Sequence, residues 1–278
     1  MTLEAFWLWV VVRCGTASRS PHSVASCGML EHRQGTPAPV KQALVTGASR
    51  GIGASVALAL AEGGFRIWLH YRAREDAARQ VAATIVERGG PEPVLVSFDL
   101  TDRNAVNDAV TALADRHGAP DALVLNAGIT LNALFALTSD REWDEVIATN
   151  LGGLLAVGRP VVKAMVRART GRIVVVSSVA SQIGNAGQVA YAASKGALNS
   201  AALSLARELA PRGITVNVVS PGLIETEMLK GAPLAKLLPT IPAGRLGSAS
   251  EVAHVIRYFC SEESGCLTGQ IVNVDGGM

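Results

Sequence analysis

The sequence predicts an α/β fold built as a single open, doubly wound domain, in which a seven-stranded parallel sheet carries helices on both faces. From residue 41 onward, short apolar runs alternate with longer segments of helical periodicity, which is typical of successive β-α-β units. Hydrophobic residues make up 49% of the 278 residues, 28 residues are glycine and only 4% are aromatic. This composition suits helices that pack tightly on a sheet.

Seven short runs rich in Val, Ile and Leu have the character of buried parallel strands. They cover residues 43–45, 67–69, 94–98, 122–125, 173–176, 215–219 and 271–274. Six helical segments lie between them, at residues 52–62, 73–88, 103–117, 143–167, 191–209 and 250–259. Right-handed crossovers then place the ligand site at the carboxyl ends of the strands. Pro160 lies inside the fourth helical segment and predicts a kink or a break there, because proline removes a helix hydrogen bond.

The first forty residues differ in composition from the rest of the chain. The stretch 15–39 is rich in Ser, Thr, Gly, Pro and His without periodicity, which predicts disorder. We therefore divide the chain into a disordered extension over residues 1–40 and one folded domain over residues 41–278. Met29 offers an alternative start, so a chain that begins near it is expected to fold and work like the full one.

Charge and hydropathy argue against several classes of partner. The apolar run 6–12 is much shorter than the roughly 20 residues that span a bilayer. Glu4 precedes this run and Arg13 follows it, whereas a secretory signal carries its positive charge first. The formal net charge of +2 is too small to indicate a nucleic-acid or membrane partner. We expect a cytoplasmic protein.

The cysteines and histidines form no metal-ligand pattern. The four cysteines lack a Cys-x-x-Cys pair, and the histidines are scattered along the chain. These residues are Cys14, Cys27, Cys260, Cys266, His22, His32, His70, His117 and His254. Surface or hydrogen-bonded histidines are the simpler interpretation, so we predict no metal.

A glycine-rich segment follows the first predicted strand and opens the first predicted helix. Residues 46–53 read Thr-Gly-Ala-Ser-Arg-Gly-Ile-Gly. Glycines let the backbone turn sharply and approach a pyrophosphate, whose charge is met by free amides at the helix N-terminus. An ordinary turn is the alternative, but the flanking strand and helix favour a dinucleotide site. The segment thereby predicts a Rossmann-type domain.

This segment resembles the glycine motif of the short-chain dehydrogenase/reductase family, Thr-Gly-x-x-x-Gly-x-Gly, at every fixed position. The resemblance runs from about residue 41 to residue 278, although Leu125 stands where many relatives carry a first Asn. It implies a nicotinamide cofactor, with Asp99 near the adenine and Thr226 near the carboxamide. The cofactor contacts implied in this way are Gly47, Ser49, Arg50, Gly51, Ile52, Gly53, Asp99, Leu100, Asn126, Ala127, Gly128, Tyr191, Lys195, Pro221, Gly222, Ile224 and Thr226.

The end of the second strand favours NADPH over NADH. An NAD site normally carries an acidic residue there, which binds the ribose hydroxyls. This chain has His70, Tyr71 and Arg72 at that point. Arg72 and Arg50 can both bind a 2′-phosphate by charge-assisted hydrogen bonds. The alternative for Arg72 is a solvated surface charge.

Tyr191 and Lys195 stand four residues apart at the start of a helical segment, so they share a helix face. The lysine charge is expected to lower the pKa of the tyrosine and to make it a proton donor or acceptor. By resemblance, Ser178 binds the substrate oxygen, and Ser177 is the competing candidate. Asn150 matches the family asparagine that holds a water relay to the lysine. A buried polar side chain that braces the helix is the alternative for Asn150.

Within the family, the chain resembles 3-oxoacyl-(acyl-carrier-protein) reductases most, over residues 184–188, 213–217, 241–247, 267–270 and 275–278. This resemblance implies NADPH-dependent reduction of a carrier-bound 3-oxoacyl thioester in fatty-acid or related acyl-chain synthesis. A short-chain enzyme for a small ketone, sugar or polyol, and a non-enzymatic NADP-binding sensor or scaffold, are the alternatives.

The same resemblance implies two kinds of protein partner. An acyl-carrier protein would dock on Arg169 and Arg212, near the active-site mouth. A homotetramer is also implied, with the helices after Asn150 and Tyr191 at the main interface. Small residues in these helices, namely Gly152, Gly153, Ala201 and Ala202, permit close helix approach.

Overall fold

Seven strands form one parallel sheet in the computed structural model, which describes residues 40–229, 231 and 234–278. The strands are β1 (Gln42–Val45), β2 (Arg66–Tyr71), β3 (Val94–Ser97), β4 (Ala122–Leu125), β5 (Gly171–Val176), β6 (Ile214–Pro221) and β7 (Ile271–Val274). Their order is β3-β2-β1-β4-β5-β6-β7. The predicted seven-stranded parallel sheet is confirmed. The predicted disorder of the extension and the alternative start at Met29 concern residues 1–39, which lie outside the described residues.

Eight α-helices occur within the described residues. They are α1 (Gly51–Glu62), α2 (Glu75–Glu87), α3 (Arg103–His117), α4 (Asp140–Ala168), α5 (Ala180–Ile183), α6 (Val189–Leu209), α7 (Leu234–Leu237) and α8 (Ala249–Cys260). The six long helices are those predicted from periodicity. The two short ones, α5 and α7, are single turns of four residues each, too short to show a helical period.

Capping residues explain where several helices begin. Ser139 starts α4 with a capping box, in which its hydroxyl accepts from the Glu142 amide while the Glu142 carboxylate accepts from the Ser139 amide. Ser248 and Glu251 form the same arrangement at the start of α8. Each box satisfies two backbone donors that the helix leaves unpaired. These sequence signals therefore determine the helix starts locally.

The sheet has a hydrophobic core on each face, because successive side chains of a strand point to opposite sides. In β1, Ala43 and Val45 pack with α1 and α8, whereas Leu44 packs on the other face with α3, α4 and α6. The large Trp68 of β2 is fully buried on that second face. Helices on both faces of the sheet confirm the doubly wound arrangement.

Helix α4 passes through Pro160 without ending, so of the predicted kink or break the break is wrong, and the kink stays a prediction. The helix is continuous over 29 residues. Val157 and Val161, on either side of the proline, are fully buried in the core. Burial of this apolar face outweighs the roughly 3 kcal/mol that a proline costs inside a helix.

Candidate functional site

The candidate site lies where the winding of the sheet reverses, between the carboxyl ends of β1 and β4. Thr46, after β1, is the centre of a hydrogen-bond network there. Its hydroxyl accepts from the amides of Asn126 and Ala127, at 2.9 and 3.0 Å. The Asn126 side chain in turn donates to the Thr46 and Gly47 carbonyls. The two loops are thereby joined along the crevice in which doubly wound sheets bind ligands.

The glycine-rich loop has the backbone that a pyrophosphate cradle requires. Gly47 and Gly51 have φ values of +64° and +55°, a region that favours glycine. A Cβ on Gly53 would collide with the Gly47 carbonyl oxygen and lie 2.5 Å from Nδ2 of the Asn126 side chain. The N-cap residue of α1, Arg50, makes no side-chain cap, and the first turn holds no acidic residue. The helix N-terminus is therefore suited to an anionic ligand.

The arginines expected at the 2′-phosphate are exposed and face carboxylates. Arg72 Nη1 lies 3.6 Å from Asp99 Oδ2. Arg50 Nη1 donates to Glu227 Oε2 at 2.8 Å, and Arg74 lies 3.4 Å from the same oxygen. Exposed pairs of this kind contribute little to stability. The guanidinium groups are therefore accessible to a stronger anion.

Asp99 and Leu100 follow β3 but face different surroundings. The Asp99 carboxylate accepts from the amide and hydroxyl of Thr101, and these bonds lower the pKa of Asp99. The Leu100 side chain is buried and packs against the position of Gly153 in α4. Only Asp99 of this pair presents a polar side chain at the nucleotide end of the crevice.

Ser178 and Tyr191 meet at the carboxyl edge of the sheet. Ser178 follows β5, and Tyr191 lies in the first turn of α6. Burial raises the pKa of Tyr191, and the nearby Ser178 hydroxyl acts in the opposite direction. Ser177 points away, since its buried hydroxyl donates to the Lys195 carbonyl at 3.2 Å. The geometry thus selects Ser178 over Ser177 as the partner of Tyr191.

Lys195 lies on the same helix face as Tyr191, with its ammonium nitrogen 5.7 Å from the centroid of the tyrosine ring. Its ammonium donates to the Val176 carbonyl at 2.9 Å and is buried. Burial lowers the pKa of Lys195 to about 8. Lys195 is not among the causes that shift the Tyr191 pKa, and removal of the phenol from water raises this pKa, so the expected lowering by the lysine is wrong for this structure.

Asn150 joins α4 to the loop after β4 and to α6. Its amide oxygen accepts from the Ile129 amide at 2.8 Å, and its nitrogen donates to the Ile129 carbonyl and to the Ser194 hydroxyl. A Cβ on Gly128 would lie 3.0 Å from the Asn150 amide oxygen and 3.4 Å from Lys195 Nζ. Asn150 therefore braces the helix, which is the alternative that we gave to a water relay, and it lies close to Lys195.

The loop after β6 brings the last predicted cofactor contacts to the glycine-rich loop. The Gly222 amide, after Pro221, donates to the Val274 carbonyl, and a Cβ on Gly222 would lie 2.7 Å from Asp275 Cα. Ile224 is buried. The Thr226 methyl group lies 3.6 Å from the position of a Cβ on Gly51. Thr226 therefore lies beside the N-terminus of α1.

Arg169 and Arg212 are not near this site in the same chain. Arg169 precedes β5 and Arg212 precedes β6, so both lie at the amino-terminal edge of the sheet. They are close together, because a Cβ on Gly213 would lie 2.8 Å from the Arg169 carbonyl oxygen. Ser178 lies at the opposite end of β5, about 20 Å away at 3.3 Å per residue. The expected location beside the mouth of their own active site is wrong.

Several residues of the site were not singled out from the sequence. His70 was noted as one of the scattered histidines and as a non-acidic residue at the end of β2, yet its ring bonds to the glycine-rich loop. Glu227 forms ion pairs with both Arg50 and Arg74. Ser194 binds Asn150. Only Arg74 carried a usable signal, since it is an arginine close to the end of β2.

Within the described residues, no three His, Cys, Asp or Glu side chains are grouped as a metal ion would require. No helix in that part of the chain is both long and apolar enough to cross a membrane.

A phosphate-binding glycine loop beside a serine, tyrosine and lysine defines a nicotinamide-dependent oxidoreductase as the class of protein. The family profile described as enoyl-(acyl carrier protein) reductase matches residues 47–278. The chain belongs to the short-chain dehydrogenase/reductase family, and it is an oxidoreductase of that family.

Several curated relatives match this chain over almost the whole of their own length. The 3-oxoacyl-(acyl-carrier-protein) reductase FabG of Aggregatibacter actinomycetemcomitans is 45% identical over 237 residues, which cover 84% of this chain and 98% of the relative. FabG of Escherichia coli strain K12 is 40% identical over 241 residues, covering 86% and 97%. A 3-oxoacyl-(acyl-carrier-protein) reductase of Synechocystis is 40% identical over 237 residues, covering 85% and 96%.

Proposed function

We propose that this enzyme reduces a 3-oxoacyl thioester, carried on an acyl-carrier protein, to the 3-hydroxyacyl product, with NADPH as the reductant, in fatty-acid or related acyl-chain synthesis. The observation that carries the proposal is the contact of Ser178 with Tyr191 above the buried Lys195, beside a cradle for a dinucleotide. The curated relatives with this reaction in their names are 40–45% identical and are covered almost completely.

The side chains suggest how the carbonyl is handled. The hydroxyls of Ser178 and Tyr191 both bind the 3-oxo oxygen, which orients the ketone and polarises it. When bound, the nicotinamide supplies the hydride that adds to the carbonyl carbon. Tyr191 gives its phenolic proton to the oxygen, so that C=O becomes CH–OH. Lys195 provides positive charge close to the phenolate that remains.

The structural role of Asn150 fits this proposal. Its bonds to Ile129 and Ser194 join the loop after β4 to α6. A water relay to Lys195 remains a prediction of the family resemblance. Because these bonds hold α6 in place, a substitution at Asn150 is expected to shift Lys195, which lies on α6.

The nucleotide cradle fits NADPH in two respects. The unshared amides at the start of α1 suit the pyrophosphate. At the ribose end, β2 ends in His70 and Tyr71 and is followed by Arg72, so the acidic residue that an NAD site carries at the end of this strand is missing. A doubly charged phosphate competes well with the exposed carboxylates that Arg50 and Arg72 face. A cytoplasmic location belongs to the same proposal, because NADPH is supplied there.

Arg169 and Arg212 remain the proposed docking site for the carrier, with one change. Since they lie at the far edge of their own sheet, a carrier bound there delivers its acyl group to the active site of a second copy. The homotetramer expected by resemblance would supply that copy. Two adjacent arginines at strand starts offer a local positive charge to an acidic carrier.

A substrate panel tests the proposal. NADPH oxidation is followed by absorbance with carrier-bound acetoacetate, a free acetoacetyl thioester, small ketones, sugars and polyols, and is then repeated with NADH. We expect the highest kcat/KM with the carrier-bound thioester and a clear preference for NADPH. Preference for a sugar or polyol would favour the alternative enzyme, and cofactor binding without turnover of any substrate would favour a sensor or scaffold.

A further inference from the structure

His70 is a buried imidazole at the end of β2 whose two ring nitrogens are both hydrogen-bonded. The side chain is 2% exposed. Nδ1 lies 3.1 Å from the Gly47 amide nitrogen, and Nε2 lies 3.1 Å from the Phe98 carbonyl oxygen. The ring also stacks on Phe98, with centroids 4.0 Å apart and an interplanar angle of 20°. Its position and orientation are therefore fully determined by its neighbours.

These contacts determine the tautomer. The Gly47 amide can only donate, so Nδ1 must carry a lone pair. The Phe98 carbonyl can only accept, so Nε2 must carry the proton. The ring is neutral, and a second proton on Nδ1 would face the Gly47 N–H and break that bond.

The same residue holds the next amide of the loop through its backbone. The Ala48 amide donates to the His70 carbonyl at 2.8 Å. Two consecutive amides of the glycine-rich loop are thus bound by His70, at the point where Gly47 takes its φ of +64°. On its other side, the ring is bound to the carbonyl that directly precedes Asp99. His70 therefore connects the loop after β1 with the end of β3.

We propose that His70 is a positioning residue for the cofactor, because its Nδ1 fixes the Gly47 amide and thereby aims the following amides of the loop at the pyrophosphate. The inference rests on the nucleotide site of the proposed function. His70 does not touch the cofactor, and its effect is on binding of the cofactor rather than on the chemical step. Without the Nδ1 acceptor, the loop exchanges one defined conformation for several, and a partly buried N–H loses its partner.

A pair of substitutions separates the two bonds of the ring. His70→Asn places an amide oxygen on the γ carbon, where Nδ1 stands, and keeps an acceptor for Gly47. His70→Gln is one methylene longer, so its amide reaches towards Phe98 while an apolar group faces Gly47. Both side chains are neutral and polar, which makes each the control of the other.

The readout is the dissociation constant of NADPH, from its fluorescence enhancement, with kcat at saturating cofactor on a free acetoacetyl thioester. We expect His70→Asn to bind NADPH within about threefold of the parent chain and His70→Gln to bind about tenfold more weakly. The kcat of both should stay within about twofold, since Tyr191, Ser178 and Lys195 are untouched. Urea unfolding of both variants measures their stability.

Equal NADPH affinity in the two variants would overturn the inference, whether both match the parent chain or both are weakened alike. The latter result would show a general effect of losing the ring. If His70→Gln does not fold, a loss of NADPH affinity in the folded His70→Asn variant overturns the inference, and retained affinity supports it. If the parent chain itself binds no NADPH, the proposed function fails first.

Discussion

Burial keeps Tyr191 in the protonation state that a proton donor needs. It raises the pKa of Tyr191, so the phenol holds its proton at neutral pH until a substrate oxygen takes it. Lys195 is fully buried, and its pKa falls only to about 8, which leaves most of it charged at pH 7. A protonated phenol beside an ammonium group suits general acid catalysis in the direction of carbonyl reduction.

Tyr191→Phe should therefore remove turnover while leaving the cofactor site intact. We expect kcat to fall by about 10²- to 10⁴-fold, the usual contribution of a positioned acid. NADPH binding should change by less than about twofold, because the glycine-rich loop is not touched. Tyr258→Phe is the matched control, since Tyr258 is 49% exposed on α8. Near-normal kcat in Tyr191→Phe would show that another group donates the proton.

His70 makes stability depend on pH in a defined range. Burial lowers its pKa from 6.5 to about 4, opposed by the bond to Phe98 and by the charge of Asp99. Between these pH values the unfolded chain binds a proton that the folded chain does not. Stability is therefore complete above pH 6.5 and is lost as pH falls towards 4, by at most about 3 kcal/mol at 1.36 kcal/mol per pKa unit.

Urea unfolding at several pH values, compared with His70→Asn, measures this contribution. The difference between the two chains in free energy of unfolding should shrink as pH falls from 6.5 to 4. Carboxylates whose lowered pKa values do not depend on His70, such as Glu142 and Glu251, titrate in both chains and cancel in the difference. A difference independent of pH would mean that His70 takes up its proton in the folded state as readily as in the unfolded one.

At the scale of elements, local signals explain what was predictable. Helix α3 and strand β4 have the predicted bounds, because Asp102 caps α3 and apolar residues continue to the ends of β4. The helix break at Pro160 was predicted from a local cost that burial of α4 overcomes. The contact of Tyr191 with Lys195 follows from helical spacing. The role of His70 does not, since its partners lie 23 and 28 residues away along the chain.

The glycine-rich loop and α1 form one element in which a single methyl group should disrupt the packing. Gly53→Ala puts a Cβ into the Gly47 carbonyl, which is backbone and cannot rotate away. We expect a loss of about 1–3 kcal/mol in free energy of unfolding and a loss of NADPH binding of at least tenfold.

Gly158→Ala in α4 serves as the control, because its Cβ would meet only Leu154 Cδ1, at 3.7 Å. Alanine in a helix interior is about 0.5–1 kcal/mol better than glycine, so this variant should be as stable as the parent chain or more so. Unfolding curves measure the stability of both variants, and NADPH titrations measure their affinity for the cofactor. Unchanged cofactor binding in Gly53→Ala would mean that the loop tolerates a different path.

At the scale of the whole molecule, the faces of α4 and α6 that point away from the core bear on oligomer formation. Of the four small residues expected to permit close helix approach, Gly153 and Ala202 are buried inside their own chain. Gly152 and Ala201 remain partly exposed. The apolar side chains of Leu155 and Leu203 are exposed on the same helices, at 40% and 37%.

The tetramer prediction can be tested at this surface. Light scattering should give about four times the chain mass of 28.8 kDa. Leu155→Arg combined with Leu203→Arg should lower that mass, because charges buried between subunits are costly. Exposed Leu137→Arg, outside these helices, is the control. A monomeric parent chain would contradict the prediction, and a tetramer that survives both arginines would place the interface elsewhere.

The position of Arg169 and Arg212 at the far edge of the sheet leads to the last prediction, which concerns delivery of substrate between subunits. Replacing both arginines by Glu should leave kcat/KM for a free acetoacetyl thioester unchanged. It should raise KM for the carrier-bound substrate by tenfold or more, and added salt should produce the same trend in the parent chain. Equal effects on both substrates, or no effect on either, would exclude these arginines as the docking site.

Mixed oligomers then distinguish docking on the same chain from docking on a neighbour. One chain carries Tyr191→Phe and keeps its arginines, and the other carries both Arg→Glu substitutions and keeps Tyr191. Each is inactive or weak on carrier-bound substrate alone. If a carrier held at one chain serves the next, refolding the two together restores activity, because some pairs combine an intact docking edge with an intact active site. No recovery, in mixtures shown by mass to contain both chains, would mean that the carrier reaches Tyr191 of the chain that binds it.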